Sequence, residues 1–157
     1  MTVLPRKKKG HFVGHTKRGK GTKIMAIADA SGLPVAIDIH SASPHEVKLV
    51  ESTIKNRFIS KLPGRIIGDK AHDSNPLDEC LRKQFRTELI APHKTNRKKP
   101  KTQDGRVLRR YRRRWKVERL FSWLHNFRRL VTSWEFNADN YLGMLQLGCN
   151  VILLRYF

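Results

Sequence analysis

Short apolar runs separated by turn residues recur along the first 91 residues. Residues 23–29 and 33–40 are two such runs, and the Asp29–Gly32 tetrapeptide between them has turn chemistry, so the pattern predicts a β-hairpin. Two further runs, at 65–69 and 87–91, predict one strand each. Four strands are therefore expected before residue 92.

Helical patterns lie between these strands and after them. Ser43 as N-cap, Pro44 at the first helical position and Glu46 three residues after the cap open one helix, and apolar residues at helical spacing continue it. The predicted helices are 44–58, 75–85, 104–130 and 137–155. This order of elements predicts an α/β fold, a mixed sheet covered by helices, in one domain over residues 1–157 with an exposed basic loop at about 93–105.

The charge of the chain points to a polyanionic partner. Thirty-three Lys and Arg against thirteen Asp and Glu give a formal net charge of +20, which a small fold tolerates best when a polyanion offsets the self-repulsion. Residues 1–28 hold eight basic and no acidic residues, and residues 94–119 hold thirteen basic and two acidic residues. Two such blocks favour a nucleic-acid-binding groove, while solvated loop lysines remain the simpler alternative.

Other function classes find little support in the sequence. Cys80 and Cys149 are far apart, with no spacing typical of a zinc site or a disulfide framework. The cysteine pattern fits a reducing compartment, so we expect a cytoplasmic location, near the nucleoid. The C-terminal apolar run from Tyr141 is interrupted by polar residues, so we expect no membrane association. The histidines lack metal-ligand spacing and are expected to be polar loop or cap residues; they include His40, His45, His72 and His93.

Two acidic residues are candidates for chemistry. Asp69 follows the short strand at 65–69, where α/β folds place functional residues, although a capping or turn aspartate is the simpler interpretation. Glu118 lies on the flank of an apolar helical stripe, on one strip with Tyr111 and Arg114. A solvated Glu paired with neighbouring arginines is the alternative there.

Three blocks of sequence resemble the insertion-sequence transposases of the DDE type, which have an RNase H-like catalytic domain. They are Asp69-Lys-Ala-His72-Asp73-Ser, Tyr111-x2-Arg114-x3-Glu118 and the basic stretch from Lys17 to Lys23. The segment 109–130 is similar to the family's signature around its catalytic Glu. The resemblance covers nearly all of the chain.

The resemblance assigns roles to individual residues. It implies that Asp69 and Glu118 are the second and third metal-binding acids of a catalytic site holding two Mg²⁺ (or Mn²⁺) ions, with His72, Asp73, Tyr111 and Arg114 as signature residues. It also implies double-stranded DNA, at transposon ends and target, as the partner. Phosphate contacts are expected from Lys17, Arg18, Lys20, Lys23, Lys94, Arg97, Lys98, Lys99 and Arg114.

The resemblance further implies that the family's first acid would fall just before Met1, so that the RNase H-like sheet is incomplete at the N-terminus. We therefore expect a truncated or split transposase, completed by an upstream-frame fragment and working as a homodimer. The expected function is DNA transposition by strand cleavage and strand transfer, with little nuclease activity from this chain alone. The alternatives are an inactive DNA-binding remnant and a basic RNA-binding protein, and the latter does not explain Glu118.

Overall fold

The structure is a computed structural model that describes residues 2–5, 12–16, 19–98, 100, 105–132 and 135–156. The chain forms two compact units. The first unit comprises Met1–Phe58 and Lys116–Phe157, and the second comprises Ile59–Trp115. The second unit is thus inserted in sequence between the two parts of the first, and the expectation of a single domain stays a prediction.

The sheet of the first unit is built around one long strand. This strand, β3 (Gly19–Ala28), pairs antiparallel with β4 (Pro34–Ser41), which confirms the predicted hairpin. Two short strands also pair antiparallel with β3, namely β1 (Thr2–Pro5) and β2 (Gly14–Thr16). Strand β4 is buried over six consecutive residues, because the sheet is covered on both faces along this part.

The helix predicted at 44–58 is shorter than expected. A 3₁₀ turn over Glu46–Leu49 leads into helix α1 (Val50–Lys55). His45, and not Ser43, caps this segment, since its Nδ1 accepts a hydrogen bond from the Val47 N–H at 3.4 Å. The prediction that His45 is a cap residue is confirmed, and the predicted start at residue 44 is wrong by two residues.

The second unit contains a βαβ arrangement. Strand β5 (Arg65–Ile67) pairs parallel with β6 (Glu88–Ile90), and helix α2 (Asn75–Phe85) connects them. All three elements lie within two residues of their predicted positions. Because the strands are parallel, the residues that follow each of them leave the sheet at the same edge.

The helix predicted at 104–130 is divided into four pieces. They are α3 (Gly105–Leu108), a 3₁₀ segment (Arg109–Arg114), α4 (Trp115–His125) and α5 (Arg128–Val131). The 3₁₀ segment has five arginines in six residues and buries none of them, so no buried apolar face supports an α-helix there.

The last helix, α6 (Ala138–Leu154), matches the prediction at 137–155 and closes the core of the first unit. Tyr141 and Leu145 of α6 pack with Leu120 and Leu124 of α4 and with Ile37 of the sheet. Asn137 caps the helix by accepting the Asp139 N–H at 3.0 Å. Within the part of the chain that the structure describes, no helix has the length and apolar character needed to span a membrane.

Candidate active site

Asp69 lies two residues beyond the carboxyl end of β5, where it caps a 3₁₀ turn over Lys70–His72. Its Oδ1 atom accepts two hydrogen bonds, from the Ala71 N–H at 2.9 Å and from His72 Nδ1 at 2.8 Å. The Gly68 N–H donates to the Ile90 carbonyl at 2.9 Å, which ties this loop to β6. The Asp69 side chain is 37 % exposed, so solvent reaches its carboxylate.

The environment of Asp69 keeps its carboxyl group charged. Partial burial alone would raise the pKa, but the His72 hydrogen bond and charge, the Ala71 N–H and the nearby Arg114 charge together hold the pKa below its usual value. Both hydrogen bonds go to Oδ1, and among the described residues Oδ2 accepts none. A carboxylate oxygen of this kind fits the ligand preference of Mg²⁺ and Mn²⁺.

Asp73 has a different environment, because its side chain is only 5 % exposed. It accepts hydrogen bonds from the Lys94 N–H at 2.8 Å, from His93 Nδ1 at 2.9 Å and from Arg97 Nη1 at 2.5 Å. Burial would raise its pKa, but these donors hold the pKa below its usual value. Arg97 also donates from Nη2 to the Asn75 Oδ1 atom at 2.8 Å. Asp73 therefore anchors the start of the basic loop to the start of α2.

Glu118 is exposed on α4. Leu120, Phe121 and Leu124 of the same helix are buried, which confirms the predicted apolar stripe. Asp69 belongs to the second unit and Glu118 to the first. The assignment of the two residues to one metal site stays a prediction.

Tyr111 and Arg114 share one face for a reason that differs from the predicted one. They lie in the 3₁₀ segment, whose three-residue period places residues i and i+3 above one another. The Arg114 guanidinium lies over the Tyr111 ring, 5.7 Å from its centroid, which is the geometry of a cation–π contact. The α-helical periodicity assumed for residues 111–114 is therefore wrong, although the pairing of the two side chains is observed.

The expected DNA-contacting residues differ in how accessible they are. Lys17, Arg18 and Lys99 lie outside the described residues. Lys20 and Lys98 are exposed and Lys94 is half-buried. Lys23 is only 6 % exposed, and its Nζ donates to the Pro44 carbonyl at 2.7 Å. Arg97 is likewise engaged, in the contacts to Asp73 described above.

A pairing of Asp38 with His40 was not predicted from the sequence. Asp38 is buried in β4, and its Oδ2 atom lies 3.0 Å from Nε2 of His40, two residues further along the strand. Ser52 Oγ lies 3.3 Å from the same nitrogen. His40 is thus a strand residue, and not the loop or cap residue expected. The signal was the i, i+2 spacing within a predicted strand, which places both side chains on one face.

Cys80 and Cys149 are both free thiols. Cys149 is fully buried in α6, and burial raises the pKa of its thiol to about 12. A thiol with so high a pKa is a poor nucleophile and a poor metal ligand at neutral pH.

Comparisons with known proteins agree with the resemblance drawn from the sequence blocks. The family model described as "Transposase DDE domain" matches residues 2–153. The chain belongs to the family of DDE transposase domains, and its mixed α/β architecture is the one expected of an RNase H-like member.

Two relatives are transposases by name. Over 140 residues the chain is 31 % identical to a transposase for insertion sequence element IS402 from Burkholderia cepacia, covering 84 % of this chain and 62 % of that protein. Over 134 residues it is 26 % identical to a transposase for insertion sequence element IS6501 from Brucella ovis, covering 85 % and 98 % respectively. The chain thus spans about three fifths of the IS402 relative. No solved structure matches the chain.

Proposed function

We propose that this domain acts in DNA transposition, by divalent-metal-dependent strand cleavage and strand transfer at the ends of an insertion sequence. The observation that supports this most directly is Asp69, which follows a parallel strand, is held by two donors on Oδ1 and has a side chain that is 37 % exposed. The family match over residues 2–153 supports the same reaction class.

Strand cleavage and strand transfer are phosphoryl transfers, for which oxygen ligands and positive charge are required. When bound, two Mg²⁺ or Mn²⁺ ions would align the reacting oxygens and neutralise the developing negative charge. Asp69 would offer Oδ2 to such an ion, while His72 and the Ala71 N–H fix the orientation of its carboxylate. Glu118 would offer a second carboxylate from the exposed side of α4.

DNA binding without cleavage is the second candidate function. The exposed Lys20 and Lys98, together with the half-buried Lys94, carry positive charge that requires no metal ion. A chain that holds DNA through such residues would occupy an insertion-sequence end even with an incomplete metal site.

The two candidates are separated by nicking of a supercoiled plasmid, measured together with DNA binding in Mg²⁺ and in Mn²⁺. For the transposition activity we expect nicking, at the low level expected of this chain alone, that falls to background in Asp69→Asn and in Glu118→Gln. Glu79→Gln is the matched control, since Glu79 is 68 % exposed on α2 and forms a loose ion pair with Lys83, at 3.7 Å. Equal nicking by wild type, Asp69→Asn and Glu118→Gln would overturn the proposal. Absence of nicking, with DNA bound as tightly or more tightly by Glu118→Gln, would favour the binding function.

Lys20 and Lys23 of β3 provide a matched test of the binding surface. Lys20 is exposed, whereas the buried Lys23 donates its hydrogen bond inside the first unit. A lysine that contacts a phosphate contributes about 0.9 to the slope of log K against log salt concentration. We expect Lys20→Met to reduce the magnitude of that slope by about 1, so that binding depends less on salt. Lys23→Met should leave the slope unchanged. If only Lys23→Met reduced the magnitude of the slope, the assignment of Lys20 as a phosphate-contacting residue would be contradicted.

A further inference from the structure

The turn between β3 and β4, residues Asp29–Gly32, is fixed by its own hydrogen bonds. Asp29 Oδ1 accepts the N–H groups of Ser31 at 2.7 Å and of Leu33 at 2.8 Å. The Asp29 N–H donates to the Leu33 carbonyl at 2.9 Å, and the Gly32 N–H donates to the Asp29 carbonyl at 3.1 Å. With four bonds closing so short a loop, its carbonyl groups are held in set directions.

This turn lies against the N-terminal part of α4, on both sides of Glu118 in sequence. Lys116 Nζ donates to the Ala30 carbonyl, and Arg119 Nη1 donates to the Ser31 carbonyl at 3.4 Å. Gly32 has a φ of +87°, and a Cβ atom built on it would lie 3.3 Å from the Lys116 carbonyl oxygen. All of these residues belong to the first unit.

Contacts on two sides of α4 constrain the helix. Leu120, Phe121 and Leu124 are buried in the core and keep the helix against the sheet. The hydrogen bonds of Lys116 and Arg119 add a further restraint on rotation of α4, and they do so two residues before Glu118 and one residue after it. A carboxylate about 6 Å from the axis moves about 1 Å for each 10° of rotation. Misplacement by about 1 Å can cost about 100-fold in rate.

We propose that Asp29 and Gly32 are positioning residues for Glu118. Asp29 shapes the turn through its Oδ1 acceptor, and Gly32 allows the turn to approach the backbone of α4. The carbonyl groups of the turn accept hydrogen bonds from Lys116 and Arg119. These bonds limit rotation of α4 about its axis, and the rotation determines where the Glu118 carboxylate lies. Asp29 acts through hydrogen bonding and not as a carboxylate ligand of the metal. The inference rests on the proposed role of Glu118 in metal binding.

The test is Mn²⁺ titration of the whole chain, followed by paramagnetic broadening of the Glu118 amide signal in NMR spectra. Mn²⁺ broadens signals close to its binding position, so the titration reports affinity at Glu118 without any need for catalysis. The variants are Asp29→Asn, Asp29→Ala, Gly32→Ala and Lys116→Met, and the last of these removes one contact while leaving the turn residues intact. Gly64→Ala is the control, because a Cβ atom at Gly64 would meet no neighbouring atom within 4 Å.

We expect Asp29→Ala, Gly32→Ala and Lys116→Met to weaken Mn²⁺ binding about 10-fold, while Asp29→Asn and Gly64→Ala bind as wild type does. Asn preserves the Oδ1 acceptor, so its rescue separates turn geometry from carboxylate charge. Equal weakening by Asp29→Asn and Asp29→Ala would overturn the inference, because the charge itself would then be required. Wild-type affinity in Gly32→Ala and Lys116→Met would also overturn it and leave the proposed function intact. A titration in which wild type and Glu118→Gln behave alike would overturn both.

Discussion

Replacement of Asp73 by Ala should destabilise the second unit strongly. Asp73 is 5 % exposed and accepts hydrogen bonds from three donors, of which the Arg97 guanidinium is only 11 % exposed. Removing one partner of a buried ion pair costs about 3–5 kcal/mol, because the remaining charge is left without compensation. Arg97 keeps the Asn75 Oδ1 and Pro100 carbonyl acceptors, so we expect the lower end, about 3 kcal/mol.

The measurement is thermal unfolding followed by circular dichroism. For a chain of this size, about 3 kcal/mol corresponds to a fall in Tm of about 6–12 °C. Glu79→Ala serves as the control, since this exposed side chain has one loose ion pair with Lys83, and its loss should cost less than about 0.5 kcal/mol. A loss of less than about 1 kcal/mol in Asp73→Ala would refute the reasoning, because the buried pair would then contribute no more than a surface one.

A second variant, Asp73→Asn, tests how stability depends on pH. The expectation follows from the pKa of Asp73, which burial would raise but which its donors hold below the ordinary value of 3.8. A carboxyl group whose pKa is lower in the folded than in the unfolded state stabilises the fold above the unfolded pKa. That contribution is lost as the pH falls through the folded pKa. The difference in Tm between wild type and Asp73→Asn should therefore be constant near pH 7 and shrink below about pH 4.

Three further substitutions test other parts of the fold by urea unfolding. Gly14→Ala should cost about 1–3 kcal/mol, because its Cβ atom would lie 2.5 Å from a backbone nitrogen, whereas Gly64→Ala meets nothing. Tyr141→Phe should cost about 1–2 kcal/mol, because it leaves a buried carbonyl without its 2.9 Å hydrogen bond. Arg86→Gly should stabilise by about 0.5–1 kcal/mol, since residue 86 ends α2 with a φ of 52°.

The sequence predicted correctly the elements that are determined by residues close to one another along the chain. The hairpin was predictable because the Asp29–Gly32 turn is closed by its own side chain and backbone. Helix α2 was predictable because Pro76 marks its first turn and apolar Leu77 and Leu81 are spaced for one buried face. Such features need no knowledge of distant residues.

The helix predicted at 104–130 failed because its apolar periodicity was extrapolated into the arginine-rich segment that precedes α4. Helical stability in proteins comes mainly from burying an apolar face, and Arg109–Arg114 has no such face to bury. The composition was visible in the sequence, but the apolar stripe beginning at Val117 was allowed to define the whole stretch. If an apolar, buried face had been required in every turn, the predicted helix would have started at α4 and not at residue 104.

Accessibility of charge was the property that composition could not reveal. Lys23 and Arg97 contribute to the net charge of +20, yet each has its charged group committed to an internal acceptor. The acceptor of Arg97 is Asp73, 24 residues earlier, and that of Lys23 is the Pro44 carbonyl, 21 residues later. Only the tertiary fold makes these pairs, so a basic cluster predicts a nucleic-acid-binding surface without specifying which of its members reach the phosphates.

The geometry of Asp69 is compatible with both a capping role and the proposed metal-binding role. The sequence left open whether this residue caps a turn or holds a metal ion, as if one interpretation excluded the other. A carboxylate has two oxygens and about four lone-pair directions, and the cap occupies only Oδ1. Fixing one oxygen removes the rotational freedom that a flexible ligand would lose on binding a cation, so the cap lowers the entropic cost of coordination through the other. The residues that hold Asp69, His72 above all, are therefore the place where its metal affinity would be tuned.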